Sequence, residues 1–225
     1  MAGILLKTLS QTLRDAVEIT RRVGVPYLWI DALCICQDDP VEWELEAARM
    51  GDIYRGSFST ISALFSSDCN AGILKQRNLG CTAVGRVLSS NRADPEDQVL
   101  FVRRRAQPIS SLDKKVSTEA PLLHRGWTLQ ELLEPPAVLH YGRDQLLWEC
   151  DCVTLFSETG LEERGSIATR FPQSREPSYG IWYEIFQAYS PRQLSFAKDK
   201  FSAIVGIATR LWNNGVWPGR YVAGH

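Results

Sequence analysis

The side chains most able to do chemistry in this sequence are a few carboxylates with aromatic and basic neighbours. Trp127 and Glu131 stand four residues apart in Trp127-Thr128-Leu129-Gln130-Glu131. On a helix of roughly 3.6 residues per turn their side chains lie about 40° apart, so both can line one pocket. A fixed carboxylate in such a pocket stabilises positive charge developing on a reactant, while an aromatic face packs a ring. The same residues also have a plain structural reading, with Trp127 in the core, Glu131 solvated, and Arg125 in a surface ion pair worth about 0–1 kcal/mol.

Asp31 interrupts the apolar run from Tyr27 to Ile35. An unpaired buried carboxylate is costly, so Asp31 should lie at a strand end, pair with a base or accept backbone hydrogen bonds. If the sheet is parallel, the segment from Asp31 to Asp39 approaches the carboxyl ends of the strands, where α/β ligand crevices form. Asp31, Gln37 and Asp38 are therefore candidate site residues, with Asp39 beside them. For Asp38 and Asp39 the competing role is to cap the helix that starts at Pro40.

His124 and His140 could serve as acid and base, since imidazole titrates near neutral pH. No serine or cysteine stands in a nucleophile elbow and no glycine-rich phosphate loop is present, which argues against a hydrolase triad and a P-loop ATPase. Four of the six cysteines form Cys-x-Cys pairs, Cys34/Cys36 and Cys150/Cys152. Their spacing does not fit the usual zinc knuckle, and both pairs adjoin apolar runs where thiols pack as small hydrophobes, so no metal site is assigned.

These residues need elements to hold them. Leu13, Ala16, Val17, Thr20 and Val23 recur at helical spacing after Ser10, and Gly24 with Pro26 ends the pattern, which predicts a helix from about Ser10 to Val23. The run Tyr27 to Ile35 reads as a strand buried on both faces. Asp39 and Pro40 open the next helix, with Trp43, Ala47, Met50 and Tyr54 as its buried stripe. Ser59 to Phe65 reads as another strand, so the first third predicts a crossover unit with a parallel sheet. Residues 66–96 read as a long surface excursion with one weak strand, and Val99 to Val102 as a short strand followed by a solvated basic triplet, Arg103 to Arg105. Thr128 to Leu133 reads as a short helix stopped by Pro135 and Pro136, and Ala137–Tyr141 with Leu146–Cys150 as a hairpin. Beyond about Tyr179 two helical stripes follow: Trp182, Ile185, Phe186 and Tyr189, then Phe201, Ile204, Val205, Ala208 and Leu211.

The chain has 225 residues, 44% of them hydrophobic, enough for one large globular domain. Twenty-five basic against 26 acidic side chains give a net charge of -1, so neither nucleic acid nor an anionic membrane surface is an expected partner. The longest apolar runs fall well short of the roughly 20 residues needed to span a bilayer, so no membrane span is expected. The first residues lack the basic region and cleavage site of a secretory signal, and six cysteines without one imply reduced thiols in the cytoplasm or nucleus, with a cytoplasmic location expected.

Two stretches resemble one family closely. YLWIDALCICQDD, from Tyr27 to Asp39, with Trp43, Glu46, Met50, Ile53-Tyr54 and the STISA segment Ser59–Ala63, resembles the core signature of the heterokaryon-incompatibility domain of filamentous fungi. RGWTLQELL, from Arg125 to Leu133, followed by Trp148-Glu149-Cys150, is similar to its second signature. The likeness runs from about Thr8 to Cys150 and returns faintly from Tyr189 to Ala208. It implies one domain over residues 1–225, an α/β fold likened to Toll/interleukin receptor (TIR) domains, with a parallel sheet, flanking helices, a β-hairpin and a helical C-terminal layer over residues 151–225. The family's first strand, which carries a Leu-Ser-Tyr-x-Trp-Gly-like motif, has no counterpart ahead of Thr8. The expectation is therefore that the chain as given turns over substrate weakly and self-associates.

The function the resemblance implies is self/non-self recognition that triggers programmed cell death. Some TIR domains hydrolyse NAD through the glutamate of a Trp-Cys-x-x-Glu motif. Here Thr128 replaces that cysteine, while Trp127 and Glu131 keep their places. Glu131 is then the candidate catalytic residue of an NAD glycohydrolase, with Asp31, Gln37, Asp38, Arg125 and Trp127 as nucleotide contacts. NAD would be a substrate, and no resident cofactor is implied. The alternative is a non-catalytic module that oligomerises and recruits protein partners.

Overall fold

The computed structural model describes residues 3–76, 81–87, 98–103, 120–143, 145–150, 156–157 and 179–213. Helix α1 spans Gln11–Val23 and ends at Gly24, whose left-handed backbone (φ 79°) returns its N–H to the carbonyls of Arg21 and Thr20. Ser10 occupies the N-cap position without capping through its hydroxyl. The buried Asp15 turns inward from α1 and accepts the backbone N–H groups of Ile73 (2.6 Å) and Leu74 (3.0 Å), which fastens the start of the excursion after residue 66 to the helix.

Helix α3, Pro40–Arg55, starts as its sequence dictates: Asp39 Oδ1 accepts the N–H groups of Val41 (2.9 Å) and Glu42 (3.2 Å), and Pro40 fills the first helical position. Between α1 and α3 the sequence expectation fails. Tyr27 to Ile35 is not a buried strand: residues 27–30 are extended without a strand partner, Tyr27 is 86% exposed, and Asp31–Cys34 forms a single helical turn, α2. The cause is local. Asp31 Oδ1 accepts the Ala32 N–H at 2.8 Å, and Ile30 O accepts from Leu33 and Cys34, so the backbone turns where a strand would have continued.

Strand β1, Thr60–Ser62, occupies the first half of the expected Ser59–Phe65 strand. Strands β2 (Cys81–Val87) and β3 (Gln98–Arg103) form a separate antiparallel pair. Helix α4 is Thr128–Leu133, and the hairpin β4 (Ala137–Tyr141) and β5 (Leu146–Cys150) follows with Ala137 opposite Cys150. A two-residue β6, Phe156–Ser157, completes a sheet of order β1-β4-β5-β6. Its β1–β4 pair is parallel and the others antiparallel, so the sheet is mixed: the α/β fold, the hairpin and the flanking helices stand as expected, with one parallel pair.

Helices α5 (Tyr179–Tyr189) and α6 (Ser202–Asn213) form a helical layer, in agreement with the two stripes. Their buried faces are turned slightly from the expected ones. Ile181 and Ile185 are buried while Phe186 is exposed, and Ile207 is buried while Phe201 is exposed. The core joins Leu129, Leu132 and Leu133 of α4 to Val138 of β4 and to both C-terminal helices. Helices α3 and α6 cross so closely that a Cβ added to Gly51 would sit 3.0 Å from the Gly206 Cα, and the buried Gln130 side chain accepts the Gly206 N–H at 3.0 Å.

Buried charges tie these layers together. Glu134, just after α4, takes two hydrogen bonds from Arg55 of α3 (2.9 and 2.8 Å) and lies 3.5 Å from Arg210 of α6. Burial pushes its carboxyl up, and the two guanidinium groups oppose that. His140 Nε2 meets Glu149 at 3.0 Å on the core face of the hairpin, with both side chains buried.

Candidate functional site: a cavity at the RGWTLQELL segment

The sequence RGWTLQELL is explained position by position by what each side chain meets. Gly126 donates to Gln193 O at 2.7 Å, and a Cβ there would come within 2.8 Å of Leu194 Cγ, so only glycine lets the 192–194 segment pass. The Thr128 hydroxyl lies 2.7 Å from Arg125 O and 2.8 Å from Leu122 O, and it accepts from Arg192 Nη1 at 2.8 Å. Arg192 also donates to Ala188 O through Nε and to Arg125 O through Nη1. These contacts hold α4 rigidly at the base of a cavity.

That cavity has a volume of about 570 Å³, within the range of small-molecule sites. One wall is the inner face of α1, a second is the extended Tyr27–Ile30 segment with Asp31, and a third is β1 with Ile53 and Tyr54 of α3. Leu122, Arg125, Glu131, Leu132 and Leu139 close it. The lining is mostly apolar. Among the described residues its acidic side chains are Asp31 and Glu131, and its one cation is Arg125.

The carboxyl of Glu131 makes no hydrogen bond or ion pair with a described residue. It is pushed up from its ordinary 4.5 to about 7, chiefly by burial; the Arg125 charge opposes this, Asp31 adds to it, and Arg192 opposes it. Arg192 is lowered to about 10 by burial, against the pull of Glu131. Tyr54, edge-on to Trp29 with ring centroids 5.6 Å apart, is held well above its ordinary value by burial and by the charges of Glu131 and Asp31, with Arg125 opposing. Its phenol therefore stays protonated at any physiological pH. Tyr54 and Trp29 were not singled out as site residues from sequence, because an aromatic at helical spacing and another in an apolar run look like ordinary core.

The structure thus brings Asp31, Arg125 and Glu131 together around one cavity and leaves the other candidates outside it. Trp127 does not share the cavity with Glu131. It sits at the N-cap of α4, where its ring packs edge-on against Trp43 at 6.1 Å and its Nε1 donates to Asp199 at 3.4 Å. Gln37 turns back to donate to Asp31 O (3.0 Å) and Ile35 O (3.2 Å), so it buttresses the backbone that presents Asp31. Asp38 accepts from the Cys36 thiol at 3.6 Å, away from the cavity; that hydrogen bond, with the charges of Glu42, Asp38 and Asp39, raises the thiol. Cys34 and Cys36 are exposed and do not pack as small hydrophobes, whereas Cys150 is buried; Cys152 lies outside the described residues. Among the described residues no cluster of three or more His, Cys, Asp or Glu side chains could hold a metal, and no helix is long and apolar enough to cross a membrane.

A mixed α/β sheet, with helices α1 and α3 walling a mostly apolar cavity beside the two signature segments, defines the chain as a mixed α/β domain. Comparison with protein families makes the class specific: the family described as heterokaryon incompatibility protein (HET) matches residues 3–131, more than half of the chain. The chain belongs to that family. No curated protein matches it, and no solved structure matches it.

Proposed function

We propose that this heterokaryon-incompatibility domain acts in fungal self/non-self recognition, triggering programmed cell death in the cytoplasm, and that its chemical act is hydrolysis of NAD. The observation that carries the reading is the unpartnered Glu131 carboxyl in a largely apolar cavity beside Asp31 and Arg125. With a pKa of about 7, Glu131 is substantially ionised at neutral pH. A carboxylate fixed in such surroundings stabilises positive charge far better than one in water.

In the proposed reaction the bond between the ribose C1′ and the nicotinamide nitrogen breaks, and its electron pair goes to nitrogen, which neutralises the pyridinium. The sugar carries the positive charge in the transition state, as in glycoside hydrolysis, and Glu131 stabilises it. Water then adds at C1′ and releases a proton. The test is to incubate purified protein with NAD and detect free nicotinamide. Release that disappears in Glu131→Gln with folding unchanged supports the reading, and full cell-killing by Glu131→Gln refutes it.

A non-catalytic role is favoured by one other observation. Val41 (68% exposed) and Leu45 (62% exposed) lie one turn apart on the outer face of α3, and Tyr27 and Phe58 are also exposed. Apolar side chains displayed in this way promote self-association or protein contacts. In that case Val41→Glu with Leu45→Glu abolishes killing while Glu131→Gln does not.

A further inference from the structure

Two exposed thiols beside α2, which the cavity chemistry does not use, stand in a defined relation to each other. Cys34 ends the helical turn, and Cys36 follows after a single residue, Ile35, whose backbone is extended (φ -111°, ψ 133°) and whose side chain is turned inward at 7% exposure. Side chains alternate about an extended residue, so with Ile35 inside, Cys34 and Cys36 both come out on the solvent side, where both are exposed. Two extended steps put their Cα atoms roughly 6.6 Å apart, at the long end of the range of about 4.4–6.8 Å that a disulfide spans. The residue between them is tied to the cavity wall. The Ile35 N–H donates to Asp31 O at 3.1 Å, and Gln37 Nε2 donates to both Asp31 O and Ile35 O.

We propose that Cys34 and Cys36 are a reversible redox pair, closed to a disulfide by a low-molecular-weight disulfide such as oxidised glutathione, and that closure loosens the α2 turn that carries Asp31. The proposal goes beyond the reading of the cavity as an NAD site and does not rest on it. The Cys34 thiolate attacks the oxidant, forms a mixed disulfide and releases one glutathione thiolate. The Cys36 thiolate then attacks the Cys34 sulfur and releases the second, so two protein thiols lose two electrons and two protons while one glutathione disulfide becomes two glutathiones. Cys36 acts second because its S–H donates to Asp38 at 3.6 Å, and that bond, with the charges of Glu42, Asp38 and Asp39, holds the thiol up and its thiolate scarce. A disulfide closed over one intervening residue is strained as well as exposed, so it opens readily in a reducing thiol pool and closes when the pool turns oxidising. Closure shortens the span between the two Cα atoms, and the torsions that yield are those of Ile35, which moves its N–H out of line with Asp31 O.

The pairing is tested by treating the purified protein with oxidised glutathione and weighing the tryptic peptide Val23–Arg49, in which Cys34 and Cys36 are the only cysteines. The peptide should become lighter by two hydrogen atoms and regain them with dithiothreitol, and Cys36→Ser should stop at a glutathione adduct on Cys34. A peptide that keeps both thiols free, carries a glutathione on each, or is joined to the exposed Cys69 overturns the pairing. Amide hydrogen exchange of the reduced and oxidised protein tests the link to α2. The Cys34 and Ile35 amides, bonded to Ile30 O and Asp31 O, should exchange about tenfold faster after oxidation. Unchanged exchange, or the same acceleration in Cys34→Ser/Cys36→Ser, overturns the link. Neither readout involves NAD, so a protein without NAD turnover can still show the pair, and a protein that hydrolyses NAD can lack it.

Discussion

A carboxyl that must ionise in a mostly apolar cavity carries a cost in stability, and at Glu131 that cost can be measured. An unfolded chain lets Glu131 titrate near 4.5, whereas the folded protein holds it near 7. At about 1.4 kcal/mol per pH unit the difference corresponds to about 3 kcal/mol. The folded pKa is the higher one, so the folded state binds the extra proton. Its contribution is fully present below about pH 4.5 and is lost as pH rises through 7. Replacing Glu131 by Gln preserves the shape and removes the titration. At pH 5, where the folded wild-type side chain is mostly neutral, Glu131→Gln should change stability by less than about 1 kcal/mol. At pH 8, where the wild type carries the charge, the variant should be more stable by about 2–3 kcal/mol. Urea unfolding at the two pH values, followed by tryptophan fluorescence, measures both. A destabilised variant at pH 8, or the same effect at both pH values, would refute the assignment of a neutral-titrating carboxyl to this cavity. Arg125→Gln sharpens the test: it removes the largest charge opposing the shift, so the difference between pH 5 and pH 8 should widen.

Other outcomes follow from the packing. Asp15→Asn should cost about 1–3 kcal/mol, because it weakens the pair of backbone bonds to Ile73 and Leu74. Burial raises that carboxyl, but those N–H groups, Gln11 and Arg14 together hold it below 3.8. Its stabilisation is therefore present above about pH 4 and is lost as pH falls through the lowered value, so acid unfolding of the wild type should begin where the Asn variant shows no corresponding step. Arg55→Met leaves Glu134 buried with Arg210 alone and should destabilise by about 3–5 kcal/mol, read as a fall in thermal midpoint. Gly206→Val forces atoms against the Gly51 backbone and the Gln130 side chain, both already within about 3 Å of a modest Cβ; it should cost at least about 1–3 kcal/mol, and Gly206→Ser in the same assay should fall between the two.

Elements specified by neighbours along the chain were readable from sequence alone. The cap at Asp39-Pro40, the stop at Gly24, the short helix before Pro135-Pro136 and both strands of the 137–150 hairpin carry their instructions within a few residues, and each stands where the pattern predicted. The two signature segments likewise identified the family, because their order and spacing are properties of the chain. What depended on partners remote in sequence was decided only by tertiary structure. A buried strand and an extended wall ending in a helical turn use the same apolar residues, and Tyr27 to Ile35 took the second form because Asp31 bonds its own backbone and no neighbouring strand pairs with it. Helical spacing placed Trp127 and Glu131 near one face, but packing against Trp43 drew the indole away while Glu131 entered the cavity. The pairing of Glu134 with Arg55 and Arg210, and of Gln130 with Gly206, joins residues more than 70 positions apart. No local pattern marks such contacts, because their energy appears only when distant helices pack together.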